Sequence, residues 1–67
     1  MWLKITTKYA DNREPTVEEY RGYDAMLEKI RTRRWDKMSL ESLMAGIAIS
    51  IAQPQARHTE YWQMHRS

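Results

Sequence analysis

The amino-acid sequence predicts a mainly α protein. The expected fold is a small three-helix bundle, at about 16–33, 39–52 and 54–65, with an N-terminal β-strand or extended arm at 2–9. Apolar residues recur at three- and four-residue steps through Val17, Tyr20, Tyr23, Leu27 and Ile30, with Met26 at the margin of that face. This is the period of an amphipathic helix. Leu40, Leu43, Met44, Ile47 and Ile51 form a second stripe, widened by Ala48 and Ala52. Pro54 then closes that segment and stands where proline favours the first position of a new helix.

The arm comes first. Leu3, Ile5, Thr7 and Tyr9 alternate with Trp2, Lys4, Thr6 and Lys8, a period of two rich in β-branched and aromatic types. Such a pattern reads as a strand, which needs a mate or a helical surface to lie on. Asp11 to Pro15 is a turn cluster. Thr16 has the chemistry of an N-cap, and Glu19 stands at capping-box spacing. The first helix then runs from an acidic start to a basic end, which complements its dipole. Gly22 inside it costs about 0.5–1 kcal/mol relative to Ala. Arg34 would fall on the apolar face, so the helix stops near there.

Ser39 is the expected cap of the second helix, and Glu41 is the one charged residue from there to Gln53. A competing reading exists for this stretch. Gly46 to Ala52 also alternates with period two, and its isoleucines favour strands. In that alternative the fold is α+β, with 46–52 as a second strand beside residues 2–9. The third helix would carry Ala56, Tyr61, Trp62 and Met64 or His65 as its less polar positions.

With 67 residues the chain has room for one domain, 1–67. A domain this small is marginal, and such chains usually carry disulfides, a metal or a partner subunit. There is no Cys, so disulfides and thiolate zinc sites are out, and a homo-oligomer or homodimer is expected. The missing cysteines and the lack of an apolar leader at the N-terminus suit a cytoplasmic protein. The longest apolar-rich run, 43–52, is about half of the ~20 residues a membrane span needs.

Few residues suggest catalysis. The two glycines stand far apart, no Cys nucleophile exists, and the serines have no His close in sequence. His58, Glu60 and His65 are the only cluster of ligand types, too few for a metal site. No enzyme activity, cofactor or metal is therefore expected. The sharpest feature is the basic run Lys29, Arg31, Arg33, Arg34 and Lys37 with Trp35 inside it, following an acidic stretch from Asp11 to Glu28. The chain also has three Trp, four Tyr and five Met but no Phe. Trp, Tyr, Met and Arg are enriched at protein interfaces. The expected partner-binding residues are Arg31, Arg33, Arg34, Trp35, Lys37, Tyr61 and Trp62. Basic residues also satisfy a helix C-terminus, and Trp35 could simply cap the core.

The expected function is protein binding by a small regulator or inhibitor that occludes its partner, of the size and style of phage or mobile-element accessory proteins. The alternative is a nucleic-acid-binding regulator using the 29–37 cluster, whose cations would neutralise phosphates. Its helix-turn-helix form would use 54–66 as the recognition helix.

Overall fold

The computed structural model describes residues 1–66 and overturns the three-helix bundle. The fold is α+β. Its elements are β1 (Trp2–Tyr9), β2 (Thr16–Arg21), α1 (Tyr23–Ile30), α2 (Lys37–Met44), β3 (Ile49–Gln53), a 3-10 turn (Pro54–Ala56) and β4 (His58–His65). The strands form one antiparallel sheet in the order β2-β1-β4-β3. Both helices cover the same face.

The strand expected at 2–9 is present, and it is central, with a neighbour on each side. Leu3 is paired with Tyr20 of β2 and Met64 of β4, and Ile5 with Glu18 and Trp62. The period of two therefore does what it suggested. Leu3, Ile5 and Thr7 are buried beneath the helices, while Trp2, Lys4, Thr6 and Lys8 lie on the open face.

The helix expected at 16–33 is half strand. Residues 16–21 pair with β1 along their whole length. Val17 and Tyr23, two positions of the supposed apolar stripe, are 52% and 66% exposed. The break comes at Gly22, whose φ of 97° lies outside the helical region and is open to glycine at little cost. The helix starts after it, so Gly22 rather than Thr16 is the N-cap.

The helix expected at 39–52 is cut in two. Asp36, not Ser39, caps α2, its carboxylate accepting from the Ser39 N–H at 2.7 Å. At the other end the N–H of Gly46 donates to Leu43 and that of Ile47 to Ser42, both at 3.0 Å. That pair of bonds, with Gly46 at φ 87°, is a Schellman stop. The chain then leaves in extended form, and the isoleucine alternation becomes β3. Its mate is β4, not residues 2–9. The third helix is absent: Pro54 nucleates only one 3-10 turn, Arg57 takes a left-handed conformation, and the chain reverses into β4. A recognition helix at 54–66 is absent with it.

Leu3, Ile5, Met26, Ile30, Leu43, Trp62 and Met64 make the core, with Tyr20, Trp35, Ile49 and Ile51 packed at its margin. On the open face Trp2 is stacked on His65, ring centres 4.5 Å apart, and the Arg21 guanidinium lies 4.2 Å over its ring. His65 Nε2 is buried there without a hydrogen-bond partner among the described residues. Leaving such an atom unmet is costly. His65→Phe keeps the stack and removes the polar atom. We expect it to raise stability by about 1 kcal/mol, read as a higher midpoint in chemical denaturation. No helix among the described residues is long and apolar enough to cross a membrane.

Candidate functional site

The helix-covered face of the sheet is not uniform. Its apolar half is built from Leu3, Ile5, Trp62 and Met64. Moving along the strands, the same face becomes polar, with Thr7 beside Glu60 and Tyr9 beside His58. Glu60 organises this half. Its carboxylate accepts from Trp62 Nε1 at 2.9 Å and from Arg33 Nη2 at 2.8 Å, and its other oxygen lies 3.1 Å from His58 Nε2. Burial pushes the Glu60 carboxyl up, but the bonds from Trp62, Arg33 and His58 together outweigh it and hold it below its ordinary value. Gln53, with its amide oxygen turned toward Arg33, accepts from both terminal guanidinium nitrogens at 2.9 Å.

Arg33 thus ties the α1–α2 connection to β3 and β4. Trp35 makes a second tie: its indole N–H donates to the Ile30 carbonyl at 2.8 Å, and its ring meets Trp62 edge-on at 5.1 Å. Between this connection and the outer side of β3 runs a groove of about 350 Å³. One wall is Arg33, Arg34, Trp35, Asp36 and Ser39; the other is residues 49–52.

The residues expected to bind a partner are dispersed. Arg33, Arg34 and Trp35 line the groove, Arg31 is exposed on the same connection, and Lys37 is exposed at the start of α2. Tyr61 projects from the opposite, open face, with Lys8 Nζ 5.3 Å from its ring centre. Trp62 is 1% exposed and belongs to the core. The groove's other wall, Ile49 to Ala52, is the C-terminal end of the helix expected at 39–52 and part of the alternative strand at 46–52. Its period-two alternation was the signal that pointed to it.

β3 and β2 are the two edges of the sheet, and they differ. The β2 edge carries Glu18, Glu19 and Arg21, charges of the kind that discourage strand addition. The β3 edge, Ile-Ser-Ile-Ala-Gln, carries none. In an antiparallel pair alternate residues direct their N–H and C=O away from the mate, so β3 offers main-chain donors and acceptors along its wall of the groove.

Among the described residues no group of three or more His, Cys, Asp or Glu is placed to hold a metal ion. No family model, no curated protein and no solved structure matches this chain.

Proposed function

We propose that this chain is a protein-binding module that captures an extended, acidic segment of a partner along the outer edge of β3, and regulates or inhibits that partner by occlusion. The observation that carries the reading is the uncharged strand edge facing a groove wall that holds Arg33 and Arg34. Strand addition draws affinity from main-chain hydrogen bonds and specificity from pockets for alternate side chains. Ile49 and Ile51 offer an apolar floor on one side of such a strand, and Arg34, with Arg31 and Lys37 nearby, favours acidic side chains. Those exposed cations also speed encounter with a negative surface. A segment held as a strand is withdrawn from its other contacts, which turns capture into inhibition. The cysteine-free sequence suits work in the cytoplasm.

The test uses two synthetic peptides that alternate Val with either Glu or Lys, added to dilute protein. The acidic peptide is expected to bind and to slow amide exchange across residues 49–53, while the basic one does neither. Arg34→Glu should weaken the acidic peptide about tenfold, which corresponds to about 1.4 kcal/mol. Unchanged exchange at 49–53 with the acidic peptide bound would place binding elsewhere and sink this reading.

A further inference from the structure

We infer that the β3 edge also pairs with the β3 edge of a second copy of this chain, so that self-association and partner capture compete for one surface. The inference rests on β3 being a docking edge, as read above, and names a second occupant for it.

Three features favour an identical strand. The edge is uncharged, so two copies meet without placing like charges opposite each other. The strand is also symmetric about its middle residue. Antiparallel pairing on a two-fold at Ile51 sets Ile51 beside its counterpart, Ile49 opposite Gln53, and Ser50 opposite Ala52. Ile49, Ile51 and Gln53 lie on the helix-covered face and Ser50 and Ala52 on the open one, so every pair keeps its face, as a correct register requires. The small Ser50 and Ala52 leave no bulk to clash on the open side.

The third feature is α2, which packs on β3 and β4. Met38 is 80% exposed, Ile47 56% and Met44 44%. A stable interface buries about 800 Å² per partner, more than a five-residue edge supplies. Joining two β3 edges keeps both helix layers on one side of an eight-stranded sheet, where the exposed apolar residues of α2 and of the turn after it add to the contact. A second copy therefore uses both surfaces, whereas an extended peptide needs only the edge. Because one edge cannot hold two strands, an acidic peptide must dissociate the dimer. By linkage, its apparent affinity falls as protein concentration rises.

The experiment is sedimentation of the full chain from nanomolar to hundreds of micromolar, with and without the acidic peptide. A reversible monomer–dimer equilibrium is expected, shifted to monomer by the peptide. Ser50→Lys with Ala52→Lys places cations opposite each other in the paired edge. That variant should stay monomeric, with circular dichroism confirming its fold. Met38→Glu with Met44→Glu should weaken the dimer about tenfold or more and leave peptide binding unchanged. A chain that stays monomeric throughout overturns the inference, and so does a dimer that survives the two lysines. If the wild-type dimer forms as expected but the acidic peptide neither binds nor shifts it to monomer, the dimer stands and the acidic-partner reading fails.

Discussion

Trp62→Ala is expected to leave the chain unfolded at room temperature. Trp62 is the largest fully buried side chain. It sits on the central strand β4, opposite Ile5 on one side and Ile49 on the other, and its ring meets Trp35 edge-on. Truncating a buried Trp to Ala costs roughly 3–5 kcal/mol. The core of a chain this short rarely supplies more than about 3–5 kcal/mol of net stability, so the loss consumes most or all of it. A second cost comes with it, because Glu60 loses the indole donor. Far-UV circular dichroism in a urea series reads the result. Trp62→Phe retains most of the bulk and should lose about 1–2 kcal/mol. Tyr61→Ala, one residue away but on the open face, should lose under about 1 kcal/mol. A variant at 62 as benign as the one at 61 would contradict the face assignment of β4.

That contrast shows what was legible in the sequence. Residues 2–9 were readable because alternation there is clean and nothing competes with it. In 16–30 the same apolar residues satisfy a helical stripe, and the strand half is fixed by something local patterning does not weigh: β1 has an open edge whose hydrogen bonds need partners. The stripe through Val17 and Tyr23 was real as spacing but empty as burial. In 39–52 the apolar spacing runs through Gly46 without a break, and only its left-handed conformation divides the segment into helix and strand. In 54–65 Pro54 suggested a helix, although Trp62 and Met64 already stand two apart. The basic run at 31–37 was visible as composition. Its partners were not, because Arg33 reaches Glu60 and Gln53 across 27 and 20 residues of chain, and no local signal reports that. Trp62 looked like a contact residue because Trp favours both interfaces and cores, and only the sheet register separates the two.

The second large effect belongs to Glu60. Its carboxylate accepts from two side chains and faces a third, and the pair with Arg33 is largely shielded, with side-chain exposures of 18% and 25%. Glu60→Ala leaves the Trp62 N–H without its acceptor and the Arg33 guanidinium without its carboxylate, with the neutral Gln53 oxygen still accepting from it. Breaking a fully buried pair from one side costs about 3–5 kcal/mol, and residual water contact reduces that to about 2–3 kcal/mol here. The same site gives a pH dependence of defined sign. The hydrogen bonds place the folded Glu60 below its ordinary value of 4.5, so the unfolded chain takes up its proton first as pH falls. Its contribution is therefore complete above that ordinary value, declines as pH drops beneath it, and is gone once the folded carboxyl is itself protonated. Asp11, held down by Arg13, and Asp36, held down by Ser39, also lie below their ordinary values and add to the same acid limb. The share due to Glu60 is the difference between wild type and Glu60→Gln. Denaturation midpoints should show a gap in favour of the wild type above about pH 5. The gap should then narrow as the solution becomes more acidic. A gap that stays constant throughout the acid range would show that the Glu60 charge is not what binds the α1–α2 connection to the sheet.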